Sequence, residues 1–173
     1  MLIARYDQSK YLVFTSFIFM GPAVYAYKNK FHMISGLITT TSIVSANFWR
    51  KPEYCIRRDC DLILTKISYG VQCYNAAKYI CGIKNLLMYY PCFIITSYAN
   101  YTSNELYNNK NDKWLYYHIT MHLSVISELL VLLNSIKESK KTGVRSFKNI
   151  AVIMSMNSLY IIGMSRLKNK MCI

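Results

Sequence analysis

Trp114-Leu-Tyr-Tyr-His118-Ile-Thr-Met-His122-Leu-Ser-Val-Ile-Ser-Glu128-Leu-Leu-Val-Leu-Leu-Asn-Ser-Ile136 decides the fold class. One acid and no Lys or Arg interrupts it, and its length matches the roughly 20 residues that a helix needs to cross a bilayer. Working outward, Tyr11–Tyr27, Phe31–Trp49, Leu62–Ile83, Leu86–Tyr101 and Ile150–Met164 share its character. Phe31–Trp49 and Leu62–Ile83 are also of comfortable spanning length, whereas Leu86–Tyr101 and Ile150–Met164 are short. Tyr and Trp gather at the ends of the stretches (Tyr11, Tyr25, Tyr27, Trp49, Tyr101, Trp114, Tyr116, Tyr117), where amphipathic rings settle at headgroup level. The expectation is an all-α polytopic transmembrane helix bundle of five to six spans, with residues 1–173 forming a single integral membrane domain.

Composition points the same way. Of 173 residues, 53% are apolar and 17% charged, against about 25% charged in an average soluble domain. So apolar a chain has ample surface to bury, which excludes disorder, and six Gly and three Pro exclude collagen-like and turn-rich classes. The net charge of +13, from 21 Lys and Arg against 8 Asp and Glu, calls for an anionic partner. Basic residues fall in the gaps between apolar stretches, at Lys28 and Lys30, Arg50 to Arg58, Lys137 to Lys148 and Arg166 to Lys170. A nucleic-acid module gathers them on one stripe of a polar domain, so the expected partner is the lipid bilayer and not nucleic acid. A mean hydropathy of only +0.15, with Lys66, Lys78 and Glu128 inside the stretches, leaves a soluble bundle as the competing fold. Against it, Leu12–Tyr27 and Ile150–Met164 lack the charged face of a soluble helix.

Basic residues in short loops set orientation, and with six spans the larger number falls on the side of both termini, which places them in the cytoplasm. The expected location is an endomembrane or a viral envelope, and high Ile, Lys, Asn and Tyr usage fits an AT-rich genome such as that of a large DNA virus or a protist. The run before Val24-Tyr25-Ala26 could be a cleaved signal, but Gly21-Pro22 interrupts it and favours an uncleaved, kinked span. Asn100-Tyr101-Thr102 is a glycosylation sequon that faces the cytoplasm on this topology and is expected to be unused. Thr102–Lys113 reads as a polar connector. The six Cys form no C-x-x-C pair and read as structural thiols. Short Leu86–Tyr101 and Ile150–Met164 suit re-entrant segments or packing in a homo-oligomer.

No phosphate loop, nucleophile elbow or H-E-x-x-H helix is present. One constellation remains: His118 and His122 lie one helical turn apart on one face, the spacing for joint ligation of zinc, or for a hydrogen-bonded polar patch. If Leu62 opens the third span and Trp114 the fifth, Asp61 and His118 lie at the same membrane side as the end of the second span. His32 belongs at the opposite interface, beside Lys30.

Ser45-Ala-Asn-Phe-Trp49, then Asp61, then His118-x-x-x-His122 resembles the S-x-x-x-H … D … H-x-x-x-H signature of the CREST superfamily, which holds alkaline ceramidases and progestin and adipoQ receptors. The resemblance implies a zinc-dependent membrane hydrolase acting on a lipid amide or ester. It implies His118 and His122 as Zn2+ ligands, Asp61 as the group that orients or deprotonates the metal-bound water, and Ser45 as a supporting group. The first His of the pattern falls on Trp49, which cannot ligate zinc, and the family has seven spans with the His pair in the last.

Two further sets carry functional readings. Arg50, Arg57 and Arg58 present planar forks suited to lipid headgroups, or serve as topology charges. Glu128 inside a span needs neutrality or a cation, and a Lys66/Lys78–Glu128 pair would begin a small transporter or channel. Because no catalytic set is complete, the leading expectation is a multi-pass integral membrane protein of structural role, with the zinc hydrolase and the transporter as alternatives.

Overall fold

The computed structural model describes residues 4–143. The fold is all-α, with no strand among the described residues. Helices α1 (Tyr6–Ile18), α2 (Met20–Lys28), α3 (His32–Arg50), α4 (Ile56–Tyr79), α5 (Ile83–Asn108) and α6 (Trp114–Thr142) follow one another through short connections. The chain divides into two compact units, Met1–Val71 and Gln72–Ile173, with the boundary inside α4.

In the first unit, α1 and α2 are one helix broken at Phe19, which itself keeps αR angles. Pro22 has no N–H to return to the carbonyl of Ile18, and the ladder resumes with Ala23 N–H donating to Phe19 O at 3.2 Å. The chain then reverses through a Schellman motif. Lys30 N–H donates to Tyr27 O, Phe31 N–H donates to Ala26 O, and Lys30 takes the left-handed conformation at φ 62°.

Helix α3 returns antiparallel. Ser35 Oγ donates to Ala23 O at 2.8 Å, Ser42 Oγ to Ser16 O at 2.6 Å, and Ser16 Oγ to Ser45 Oγ at 3.3 Å. Beside Leu12 and Ile38, the hidden residues include small ones at regular spacing: Ser9, Ser16 and Ala23, spaced by seven, and Ser35 and Ser42, likewise spaced by seven. Such a seam lets two backbones approach closely and is typical of helix pairs in lipid. Phe14, Phe17, Met33 and Ile43 point outward.

The second unit is a helical hairpin. Gly82 takes φ 80°, ψ 149° ahead of α5, and its carbonyl accepts from Leu86 N–H. Antiparallel pairing with α6 is fixed by Asn85 Nδ2 donating to Glu138 Oε2 at 3.3 Å, by Thr96 to Glu128, and by Ser103 Oγ to Trp114 O at 3.2 Å. Tyr89, Phe93, Leu129, Leu132, Leu133 and Ile136 are its buried apolar residues. The reversal between α5 and α6 is a second Schellman motif, with Lys110 at φ 54° and bonds from Lys110 to Tyr107 O and from Asn111 to Leu106 O.

Several sequence expectations shift. Helix α4 starts at Ile56, inside the charged loop, and ends before Ile80, so the expected span 62–83 runs into a connector. Helix α5 continues past Tyr101 to Asn108, which places the sequon within a helix and shrinks the 102–113 connector to the residues after Asn108. The stretch Ile150–Met164 and Cys172 lie outside the described residues. Among the described residues one helix, α6, is long and apolar enough to cross a membrane. Helix length and composition thus support one span where the sequence led us to expect five to six, because the break at Phe19 leaves α1 and α2 short and the longer α3, α4 and α5 are diluted by polar side chains.

Candidate functional site

Each unit buries one carboxyl group under neutral hydrogen-bond donors. In the first, Asp61 lies on the second turn of α4, just outside the apolar stretch 62–83, and is 8% exposed. Thr65, one turn on, and Ser45 of α3 hydrogen-bond its carboxyl group, while Oδ1 has no partner. Burial pushes Asp61 up from 3.8 to about 6, against the opposite pull of the two hydroxyls. Ser16 of α1 extends the chain of hydroxyls to Ser45. The structure thus brings Asp61 and Ser45 together, and Thr65 and Ser16 are additions that sequence reasoning missed. The signal for Thr65 was its i+4 spacing from Asp61.

The α3–α4 loop beside this cluster is tied together by its own charges. Arg57 Nη2 donates to Lys51 O at 3.1 Å and lies 4.0 Å from Glu53, which also pairs with Lys51 at 3.4 Å. Arg58 stacks its guanidinium 4.7 Å above the ring of Tyr54, and Arg50 is exposed. Arg57 also hydrogen-bonds the Cys55 thiol and holds it below its ordinary value. Of the three arginines named for headgroup contact, Arg57 and Arg58 thus have partners within the loop.

In the second unit, His118 and His122 lie along one face of α6 with ring centroids 4.9 Å apart and planes tilted by 59°, and His118 and Trp114 meet edge to face at 5.9 Å. Among the described residues no group of three or more His, Cys, Asp or Glu could hold a metal ion. The residues implied by the resemblance fall in different units, Ser45 and Asp61 in the first and the His pair in the second. With Trp49 in the place of the first ligand, the donor set does not fit a zinc ion, and no chemistry is derived through one.

Glu128 is fully buried. Thr96 Oγ1 donates to its Oε1 and Gln72 Nε2 donates to its Oε2 at 3.2 Å. Lys78, expected from the sequence as its counter-charge, instead places its ammonium over the rings of Tyr74 and Tyr79, at 5.7 and 5.2 Å. Lys66 is exposed and belongs to the first unit. Tyr89 is buried beside Phe93, and its hydroxyl has no partner among the described residues. Gln72, Thr96 and Tyr89 were not singled out from the sequence, since Thr and Gln in an apolar stretch carry no chemical signature by themselves.

Comparison with protein-family models, with curated proteins and with solved structures finds no match.

Proposed function

We propose that the chain is a multi-pass integral membrane protein of structural role, whose α1–α2/α3 pair and α5/α6 hairpin lie in the bilayer. The observation that carries this is that hydroxyl side chains lie hidden between helices while large apolar side chains face outward. The hidden faces mix Ser9, Ser16, Ser35, Ser42, Thr96, Ser103, Ser135 and Glu128 with apolar residues such as Leu12, Ile38, Tyr89 and Leu132, while Phe14, Met33, Ile43, Ile63, Leu87 and Ile94 face outward. In water that arrangement leaves large apolar side chains unburied. In lipid it costs little, because the surrounding chains are as apolar as Leu, and small hydroxyl residues give close packing and interhelical hydrogen bonds. Length is sufficient as well: at 1.5 Å per residue α3 measures about 28 Å and α5 about 39 Å, against a hydrocarbon thickness of about 30 Å.

Labelling in sealed membranes with an impermeant maleimide tests the multi-pass topology. Within the first unit, Asn29→Cys and Cys55 are expected to react from opposite faces. Within the second, Cys81 and Asn109→Cys are expected to do the same. Reaction of each pair from one face would reduce the protein to a membrane-attached one. The zinc hydrolase implied by the CREST resemblance has its own measurement, zinc per purified chain. About one zinc, lost in His118→Ala/His122→Ala, would put that activity first.

A further inference from the structure

Glu128 has a charge problem that its neighbours do not solve. Its carboxyl group is fully enclosed, and its two hydrogen-bond donors, Thr96 and Gln72, are neutral and themselves buried. Among the described residues no ion pair involves Glu128. The titratable groups within its electrostatic reach are Tyr89 and Cys92 of α5, with Cys73 of α4 beside Tyr89, and none of these is cationic. Enclosing a lone carboxylate costs several kcal/mol even after relaxation, more than two neutral hydrogen bonds return. No cation among the described residues cancels the negative charge, which leaves a bound cation as the means of cancelling it.

The identity of that cation follows from charge and donor type. Glu128 and Thr96 offer oxygen, with the unpartnered hydroxyl of Tyr89 nearby, which suits a hard cation and excludes a soft one. A divalent ion would leave one uncompensated positive charge in the same enclosure. We propose that Glu128, with Thr96 beside it and Gln72 holding its second oxygen in place, is a buried monovalent-cation site that takes a proton or a sodium ion. A cation entering the site cancels the carboxylate, and leaving restores the charge. The site is thus a point at which proton or sodium concentration acts on the packing of α4, α5 and α6 in the second unit. Burial and the donor set hold whether or not the hairpin lies in lipid, so the site does not stand or fall with the membrane assignment.

Dicyclohexylcarbodiimide tests this on the full-length purified protein. The reagent takes the proton of a neutral carboxyl group onto nitrogen, the carboxyl oxygen bonds to its central carbon, and rearrangement leaves a stable N-acylurea where water is excluded. Peptide mass spectrometry is expected to find the adduct on Glu128 at about pH 6, with at least about tenfold less on the exposed Glu105 and Glu138, and none in Glu128→Gln. Replacing choline by sodium separates the two cations. Protection by sodium assigns the ion, and a yield that falls with rising pH but ignores sodium assigns the proton. Thr96→Val removes one donor to the ionised form, so labelling persists to about one pH unit higher. Absence of the adduct between about pH 5 and 8, or a yield indifferent to both pH and sodium, overturns the site. Alkaline carbonate extraction of the same membranes reads the bilayer assignment separately.

Discussion

Two adjacent residues of α3 give opposite forecasts in water and in lipid. Ser42 is 2% exposed and donates to the carbonyl of Ser16, whereas Ile43 next to it is 54% exposed and sits near the middle of the helix. Central Ile favours insertion by about 0.3 to 0.6 kcal/mol and central Lys opposes it by about 2.5 to 3.5, so Ile43→Lys is expected to cost about 3 to 4 kcal/mol in the bilayer. That corresponds to a loss of insertion of at least about a hundredfold. Ser42→Ala removes one interhelical hydrogen bond, worth about 0.6 and at most about 1.7 kcal/mol in membranes. For a protein in water the ranking reverses, since an exposed Ile→Lys change falls within about 0.5 kcal/mol while the buried Ser16 carbonyl loses a donor. The assay is the carbonate-resistant fraction of each variant at matched expression, followed by unfolding of whatever fraction inserts. If Ile43→Lys left the membrane fraction intact and raised soluble yield, the outward apolar faces would not be facing lipid, and the multi-pass assignment would fail.

Three further outcomes are expected. Gly82→Ala should destabilise the second unit by about 1 to 3 kcal/mol. At φ 80° an added Cβ meets nothing within 4 Å, so the whole cost is backbone conformation, read as a lower melting temperature in detergent. Asp61 is raised from 3.8 to about 6, so the folded chain holds its proton more tightly than the unfolded one. The resulting stabilisation, about 3 kcal/mol, is fully present below about pH 4 and is lost as pH rises through about 6; Asp61→Asn should flatten that dependence in melts across the range. Lys30→Gly and Lys110→Gly relieve left-handed backbone at φ 62° and 54° and should each raise stability by about 1 kcal/mol. An unchanged melting temperature would mean that the lysine side chains offset the strain.

How far the sequence revealed the structure depends on which force sets each feature. Helix α3 was expected at 31–49 and runs His32–Arg50, and α6 was expected from Trp114 and begins there, because both open where an apolar run meets a turn. Hydropathy finds apolar residues rather than helices, so it truncates α5. Beyond Tyr101 that helix continues through Asn104, whose amide donates to Asn100 O at 2.8 Å, and only the Schellman reversal ends it. Both reversals spell Tyr-x-Asn-Lys, at Tyr27–Lys30 and Tyr107–Lys110, and neither shows the glycine that signals a left-handed residue. At the candidate sites, Asp61 and Ser45 were named separately from a pattern and their contact was not, whereas Glu128 was assigned a lysine by charge complementarity alone. The structure offers Lys78 two aromatic faces instead, an arrangement that needs coordinates because Tyr74 and Tyr79 have no fixed meaning in a linear pattern.

The hidden seams bear on the proposed membrane assignment. In water, helices associate because their contact faces are apolar, and although Leu12 and Ile38 are hidden in the first unit, the Ser9, Ser16, Ser35 and Ser42 positions beside them remove little apolar surface from solvent. The serine hydroxyls would also exchange good hydrogen bonds to water for bonds to Ser16 O and Ala23 O, at little net gain. In a bilayer the comparison changes: the helices are already formed because their backbone groups have no other partners, and only side-by-side packing is left to decide. Close approach through small residues then supplies dispersion contacts that lipid cannot match, and each hydroxyl that finds a carbonyl avoids standing unpaired in hydrocarbon. The same reasoning accounts for Glu128 and Asp61. Each is enclosed by hydroxyl or amide donors from a neighbouring helix, Thr96 and Gln72 in one unit and Ser45 in the other, so each carboxyl group binds its helix to a partner while facing away from the apolar exterior.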